Sequence, residues 1–244
     1  MKRFGLIGNP VAGSLSPRLF AAAYDGRYPY DLIEGPDFEQ SWQLFLDKYH
    51  GINVTAPFKQ LAYGKVDILS ETARLSGAVN LVVKTPEGLA GYNTDVDGVR
   101  LSLQEAGVQP QEALVLGAGG AGRAAAVAAL QLGCRVTLIN RTEARAQELA
   151  GRLGCSWRPF EDLSLVLNYA TLLLYTLPVR IEALNQAGLF GHTVLEADYR
   201  HPTLTGIPGC RYVSGRRWLL HQAVAGYALF TGEPPKTEAM AEVL

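Results

Sequence analysis

The sequence predicts an α/β protein in which parallel strands are joined by helices, and three observations carry that prediction. An apolar run at 114–116 leads directly into a glycine-rich turn, GAGGAG, at 117–122. An alanine-rich segment with high helix propensity follows and ends at Gly133. A second apolar strand, Arg135–Ile139, then closes a unit of about 30 residues, the length of a right-handed crossover between parallel strands.

The glycines of this turn have distinct physical roles. Gly117 allows the turn off the strand, Gly119 lets the backbone approach a pyrophosphate, and Gly122 permits close packing of helix on strand. The helix N-terminus favours the phosphate charge through its unpaired N–H groups and its dipole. A bare G-x-G-x-x-G also occurs as a plain turn, but the strand, helix and strand around it favour a dinucleotide site.

The residue at the end of the second strand discriminates between dinucleotides. Here it is Asn140, where an acidic residue would bind the ribose hydroxyls of NAD and repel a further phosphate. Arg141 can fork onto a 2′-phosphate and Thr142 can donate a hydrogen bond to it. Alternatively, Thr142 caps the helix at 143–150 and Arg141 is solvated; both interpretations are compatible, and the sequence favours NADP.

Composition limits the classes of partner. The 244 residues, 48% of them hydrophobic, suffice for one large or two small domains. A net charge of −1 without a basic run gives no electrostatic basis for binding nucleic acid or a membrane surface. The N-terminal apolar run stops at Asn9, too early for a signal peptide, and the apolar region at 163–179 is interrupted by polar residues. We therefore expect a cytoplasmic protein with small-molecule partners and no membrane span.

Cysteine and histidine usage gives no sign of a disulfide framework or a metal site. The three cysteines are widely spaced and are expected to be buried small hydrophobes: Cys134, Cys155 and Cys210. The four histidines show no ligand spacing: His50, His192, His201 and His221.

The first strand, 3–8, leads into a turn-rich loop that ends in a helix-start signal. Ser16 suits the N-cap of the following helix and Pro17 suits its first position. Ser14 has no such capping role and lies in the loop beyond the carboxyl end of the strand. Open α/β sheets bind ligands at that edge, so Ser14 is a candidate binding residue.

Two further strands, Tyr30–Glu34 and 51–55, flank an amphipathic helix at 38–49. Pro57 stops the third strand, and the loop beside it carries the hydroxyl of Thr55 and the ammonium of Lys59. An isolated lysine is usually a surface residue. However, an amide at Asn80 and a carboxylate at Asp95 follow at the ends of later strands, where Asp95 alternatively caps the helix at 96–106.

These segments carry a resemblance to a known family. The motifs are S-L-S-P at 14–17, N-V-T-x-P-x-K at 53–59, G-A-V-N at 77–80, N-T-D at 93–95, G-A-G-G-A at 117–121 and N-R-T at 140–142. Their order is that of the shikimate dehydrogenases, which the chain resembles over nearly its full length. The segment at 215–222 resembles the closing helix of that family. The turn at 175–178 departs from it, because the usual glycine is missing.

The resemblance implies two domains and an NADPH-dependent, reversible reduction of 3-dehydroshikimate to shikimate. An N-terminal substrate-binding α/β domain with a mostly parallel sheet spans 1–96 and is completed by 215–244, and a Rossmann NADP-binding domain spans 97–214. Lys59 and Asp95 would be catalytic. Substrate binding would fall to Ser14, Ser16, Thr55, Asn80, Tyr199 and Gln222. Cofactor binding would fall to Gly117, Ala118, Gly119, Gly120, Ala121, Asn140, Arg141, Thr142, Thr176, Val213 and Gly215.

Alternatives within and outside this activity stay open. The same fold serves dehydrogenases that act on quinate, and it can serve a regulator that binds ligands without turnover. Loss of Lys59 or Asp95 would indicate the regulator, and both residues are present. Monomer and homodimer are both compatible with the sequence.

Overall fold

The structure, a computed structural model, describes residues 1–109, 111–184 and 188–244. The chain forms two units. The first comprises Met1–Gly98 and Leu220–Leu244, and the second comprises Val99–Leu219. Each unit is built around one six-stranded sheet, in agreement with the predicted α/β class.

The first unit has a mixed sheet with the strand order β2-β1-β3-β5-β6-β4. β1 is parallel to β2 and β3, and β4 is parallel to β6, whereas β5 runs antiparallel to both of its neighbours. The sheet is therefore mostly parallel, as predicted. Its elements are β1 Phe4–Gly8, α1 Ser16–Tyr24, β2 Tyr30–Glu34, α2 Phe38–Lys48, β3 Gly51–Val54, α3 Lys59–Tyr63, β4 Ile68–Leu69, α4 Glu71–Ser76, β5 Leu81–Thr85 and β6 Gly88–Tyr92.

The second unit has a parallel sheet with the strand order β12-β11-β10-β7-β8-β9. The order reverses beside β7, the strand that precedes the glycine-rich turn, and ligands of doubly wound folds bind at such a switch point. The strands and helices are α5 Asp95–Glu105, β7 Glu112–Leu116, α6 Gly120–Gln131, β8 Arg135–Ile139, α7 Glu143–Leu153, β9 Ser156–Arg158, α8 Leu163–Leu167, β10 Leu172–Tyr175, β11 Thr193–Glu196 and β12 Arg211–Ser214, with a 3₁₀ turn at Phe160–Asp162.

Two helices belong in part to each unit. α5 opens in the first unit and continues into the second, while α9, Gly215–Thr231, starts in the second and returns to the first. A short α10, Thr237–Glu242, ends the chain.

Local sequence explains the helices that cover the sheets. Asp37 caps α2 by accepting a hydrogen bond from the amide of Glu39, and the helix buries Phe38, Trp42 and Phe45 on one face. α6 is buried along 122–129, where its alanines allow close contact with neighbouring elements. The apolar region at 163–179 contributes Leu163, Val166, Leu167 and Leu173 to the core of the second unit, as expected.

The start of α1 differs from the prediction. Leu15 occupies the N-cap position, Ser16 is the first helical residue, and no side chain caps the helix. The amide of Ser16 instead donates to the Oγ of Ser14 at 3.2 Å. The predicted N-cap role of Ser16 is therefore wrong, and Ser14 makes a side-chain hydrogen bond to the backbone of this turn instead.

The cysteines are only partly as predicted. Cys134 is buried, whereas Cys155 and Cys210 are partly exposed, and all three are free thiols. Burial raises the pKa of both partly exposed thiols. Within 1–109, 111–184 and 188–244, no helix is long and apolar enough to cross a membrane, and no cluster of three His, Cys, Asp or Glu side chains is placed to hold a metal ion.

Candidate active site

Lys59 and Asp95 form an ion pair at the carboxyl-terminal edge of the first sheet. Lys59 opens α3 and Asp95 opens α5 directly after β6. Their Nζ and Oδ2 atoms are 2.5 Å apart, and the two side chains are only 15% and 11% exposed. The N-terminal end of α5 favours a carboxylate at this position through its backbone N–H groups.

Backbone hydrogen bonds hold Lys59 in place. The carbonyl of Lys59 accepts from the amide of Val79, which ties α3 to the segment before β5. The amide of Phe58 donates to the carbonyl of Thr55 and closes the preceding turn. The ammonium is thus presented from the first residue of a helix whose surrounding backbone is held by hydrogen bonds.

A buried network of amides and hydroxyls lies next to this pair. The Oδ1 of Asn80 accepts from the amide of Thr94 at 2.8 Å, and its Nδ2 donates to the Oγ1 of Thr94 at 3.1 Å. The Oε1 of Gln222 lies 3.5 Å from both the Asn80 Nδ2 and the Thr94 Oγ1. Each of these side chains is at most 9% exposed. Asn80 therefore fixes the residue that immediately precedes Asp95.

The hydroxyls of the first unit lie at the ends of neighbouring parallel strands. Ser14 and Ser16 follow β1 and their Oγ atoms are 3.1 Å apart, while Thr55 follows β3. The amide of Thr55 donates to the carbonyl of Ile7 in β1. A Cβ on Gly8 would overlap the Cγ2 of Thr55, so the missing side chain at this position lets the two strand ends approach. The structure thus brings these three predicted residues to one edge of the sheet.

In the second unit, three of the four glycines at 117–122, after β7, have different surroundings. Gly117 has a φ of +109°, and a Cβ there would also overlap the Oγ1 of Thr176. A Cβ on Gly122 would overlap the carbonyl of Gly117. A Cβ on Gly119 would meet no atom within 4 Å. Gly117 and Gly122 are therefore required by the fold, whereas Gly119 borders open space in which a ligand can approach the backbone.

These surroundings fit a dinucleotide phosphate. α6 begins at Gly120 and no side chain caps its N-terminus, so its first N–H groups can bind an anion. The amide of Ala118 donates to the Oδ1 of Asn140 at 3.0 Å, and the Nδ2 of Asn140 donates to the carbonyl of Thr142 at 2.8 Å. Asn140 thereby joins the glycine-rich turn to the loop that follows β8.

The loop after β8 has the chemistry of a 2′-phosphate site. Arg141 and Thr142 are exposed there, and Thr142 occupies the N-cap position of α7 without making a side-chain capping bond. The capping alternative for the Thr142 hydroxyl therefore does not hold. A guanidinium and a hydroxyl beside each other, with no carboxylate at 140, suit NADP better than NAD.

The remaining predicted residues of the second unit are mostly engaged within the protein. The hydroxyl of Thr176 donates to the carbonyl of Leu116 at 2.7 Å. Val213 is buried in β12, and a Cβ on Gly215 would lie 2.5 Å from the carbonyl oxygen of Glu196. Tyr199 is partly exposed in a turn organised by Asp198, whose Oδ1 accepts from the amides of the next turn residues, Arg200 and His201.

Several buried polar residues were not predicted from the sequence. Thr94 lies inside the N-T-D motif, and Asn53 interrupts the apolar strand β3, donating to the carbonyl of Asn80 at 3.2 Å. Glu196 is fully buried and accepts from the amides of Thr203 and Leu204. Burial, together with a hydrogen bond to Glu196, raises the pKa of Tyr212. A polar residue within an apolar strand is the sequence signal that could have identified Asn53 and Glu196.

Two family descriptions match the chain. Residues 6–82 match the substrate-binding domain of shikimate dehydrogenase, and residues 100–177 match the shikimate/quinate 5-dehydrogenases. The shikimate dehydrogenase (NADP⁺) of Acidiphilium cryptum is 37% identical over 95% of this chain and 91% of its own length.

Solved structures agree with these matches. The shikimate 5-dehydrogenase of Thermus thermophilus, solved with NADP(H) and shikimate, is 31% identical with a TM-score of 0.86 and covers 100% of this chain and 98% of its own. The quinate dehydrogenase of Corynebacterium glutamicum, solved with NAD, is 29% identical with a TM-score of 0.85, covering 99% and 98%.

A parallel sheet with a glycine-rich turn at its switch point, together with a second unit that presents a mostly buried ammonium–carboxylate pair, is typical of nicotinamide-dependent dehydrogenases. Within that class, the chain belongs to the shikimate dehydrogenase family.

Proposed function

We propose that this protein catalyses the reversible, NADP-dependent reduction of the ketone of 3-dehydroshikimate to the hydroxyl of shikimate. The single observation that carries the proposal is the ion pair between Lys59 and Asp95, because a carbonyl reduction needs a proton donor held at a fixed position. The 37% identity to a shikimate dehydrogenase (NADP⁺) over nearly the whole chain supports the choice of substrate and cofactor.

Lys59 is proposed as the proton donor. Its ammonium would hydrogen-bond the ketone oxygen and give up a proton as negative charge develops there; in the oxidation of shikimate the neutral amine would take the proton back. Asp95 would hold the ammonium in position through the bond seen in the structure. Bound NADPH supplies the hydride for this reaction.

The other predicted residues of the first unit suit the remaining groups of the substrate. The adjacent hydroxyls of Ser14 and Ser16 would donate to the carboxylate. Thr55, Asn80 and Gln222 offer hydroxyl and amide groups to the ring hydroxyls. Tyr199, a residue of the second unit, is proposed as a further contact. Small polar donors of this kind suit a densely hydroxylated ligand better than an apolar pocket does.

The second unit is proposed to hold NADP. The backbone at Gly117, Ala118, Gly119, Gly120 and Ala121 would bind the pyrophosphate against the start of α6. Arg141 and Thr142 would bind the 2′-phosphate, with Asn140 fixing their loop. Thr176, Val213 and Gly215 are proposed to contribute through their backbone, because the Thr176 hydroxyl is bonded to Leu116.

The proposed partners are these two small molecules. Monomer and homodimer both stay open, and light scattering after size-exclusion chromatography distinguishes them.

The activity is tested by following the absorbance of reduced nicotinamide with shikimate or quinate, each offered NADP or NAD. We expect shikimate with NADP to give the highest kcat/KM. A preference for quinate would assign the protein to the quinate branch of the family. A folded protein that binds NADP but turns over neither substrate would be a regulator, contrary to the proposal.

A further inference from the structure

The loop between β1 and α1, residues 9–15, is bound by a carboxylate from a neighbouring strand. The amides of Val11 and Ala12 both donate to the Oε2 of Glu34, at 2.6 and 2.8 Å. Glu34 is the last residue of β2, which pairs in parallel with β1. Two successive N–H groups pointing at one anion form a concave backbone site, and here a side chain of the protein itself fills it.

The Glu34 carboxylate is connected through the backbone of Val11 to Ser14, one of the two proposed substrate-binding serines. The carbonyl of Val11 accepts from the amide of Ser14 at 2.8 Å. The Oγ of Ser14 in turn accepts from the amide of Ser16. The peptide group between Val11 and Ala12 therefore donates its N–H to Glu34 and accepts from Ser14 through its carbonyl.

Other contacts also hold the loop, chiefly at its two ends, and the side chain of Val11 is buried. The amide of Asn9 donates to the carbonyl of Ala56, and the hydroxyl of the buried Tyr227 donates to the carbonyl of Ser16. Ala12 is exposed, so its backbone would face water without Glu34. The Glu34 side chain is therefore the contact that holds the backbone N–H groups of Val11 and Ala12.

The charge on Glu34 is stabilised by the loop itself. Hydrogen bonds from the amides of Val11 and Ala12 lower the pKa of the carboxyl group. The loop at 9–15 carries no charged side chain; the charged residues nearest in sequence are Arg18 after the loop and Asp31, Asp37 and Glu39 around Glu34. Asp37 is engaged in capping α2, and Glu39 pairs with Lys65. Glu34 is thus a ligand for backbone N–H groups.

We propose that Glu34 is a positioning residue that holds the turn carrying Ser14 and Ser16 in the geometry that receives the substrate carboxylate. The proposal rests on the proposed function, which gives the two serines that role. A turn that is already ordered does not lose conformational entropy when the substrate binds. Loss of Glu34 should therefore weaken substrate binding more than it slows the chemical step.

The test compares E34L and E34Q with the wild type and with E87Q, which alters an exposed carboxylate in the turn between β5 and β6. We expect E34L to raise KM for shikimate about tenfold, which corresponds to about 1.4 kcal/mol. E34Q keeps one acceptor oxygen without the charge and should fall between E34L and the wild type. The kcat and the KM for NADP should stay within about twofold, and E87Q should behave as the wild type.

A second measurement does not depend on turnover. Hydrogen exchange at the amides of Val11 and Ala12, followed by NMR in the free protein, should be at least about tenfold faster in E34L and unchanged in E87Q. Unchanged exchange in E34L would overturn the proposal, and so would an unchanged or lowered KM for shikimate in an active protein. If the wild type does not turn over shikimate, the proposed function is wrong, whereas the proposal for Glu34 is still tested. The dissociation constant of shikimate, measured by calorimetry, then replaces KM in the same comparison.

Discussion

The Nζ of Lys59 and the Oδ2 of Asp95 lie 2.5 Å apart although the two residues are 36 positions apart in the chain. One opens a short helix after a turn and the other opens a long helix after a hairpin strand. Because both side chains are mostly buried, removing either one takes away an ion-pair contact of the other where water screens the charge little. The pair therefore links the proposed chemistry to the stability of the first unit.

Lys59→Ala should lower kcat by about 10²- to 10⁴-fold, because a positioned acid contributes that range. Its KM for shikimate should change far less. Lys65→Ala is the matched control, since Lys65 forms an exposed ion pair with Glu39 in the same unit. A raised KM with a kcat near that of the wild type would make Lys59 a binding residue.

The contributions of the Lys59–Asp95 pair to stability and to catalysis can be measured separately. Lys59→Ala should destabilise the protein by on the order of 3 kcal/mol, since Asp95 stays mostly buried and loses the ammonium that pairs with it. A double variant, Lys59→Met with Asp95→Leu, should recover most of this loss in urea unfolding and stay inactive. Asp95→Asn should lower kcat as Lys59→Ala does. A double variant that is as unstable as the single one would show that the destabilisation has another cause.

Ser14→Ala should raise KM for shikimate with a smaller effect on kcat. A carboxylate anchor contributes similarly in the ground state and the transition state, so its loss weakens binding without slowing the chemical step as much. The expected rise is about tenfold for a lost hydrogen bond to a charged group. Steady-state kinetics with shikimate as the varied substrate measure both constants, and a fall in kcat alone would contradict the assignment.

Arg141→Ala should raise KM for NADP by on the order of tenfold or more, which corresponds to about 1.4 kcal/mol, and leave KM for NAD nearly unchanged. Arg135→Ala is the control, because Arg135 is the first residue of β8, whereas Arg141 comes after its last residue. Arg135 pairs with Glu112. Equal losses with both cofactors would mean that Arg141 has a structural role.

Gly119→Ala should affect cofactor binding, whereas Gly122→Ala should affect stability. A methyl group on Gly119 meets open space in the free protein, so the melting temperature should hold while KM for NADP rises about tenfold or more. A methyl group on Gly122 overlaps the Gly117 carbonyl, so that variant should unfold at a lower temperature. Normal NADP binding by Gly119→Ala would contradict the pyrophosphate assignment.

The contribution of Glu34 to stability should depend on pH. Its pKa is lower in the folded protein than the ordinary value of 4.5, so the folded state binds this proton less tightly. The stabilising contribution is present above that ordinary value and is lost as the pH falls through the folded pKa. Urea unfolding of the wild type and E34Q should differ at pH 6 and converge in acid. A difference that persists unchanged in acid would exclude Glu34 as its source.

The sequence by itself determined the strand, glycine-rich turn, helix and strand at 114–139. The strand Arg135–Ile139 has the predicted bounds, and the fold class and family follow from patterns within short segments. Glycine spacing, apolar runs and helix propensity are local properties, so the sequence states them directly. The helix at 38–49 was likewise predicted within one residue of Phe38–Lys48.

Only the tertiary structure decided which polar side chains meet. The Asn80 amide binds Thr94, Glu34 binds the loop of Ser14, and the Thr176 hydroxyl binds Leu116. These bonds depend on strand order and register, which bring together residues 14 to 60 positions apart. A hydroxyl or amide has the same local signature whether it faces a ligand or a backbone carbonyl, so its partner is fixed only when the sheets assemble.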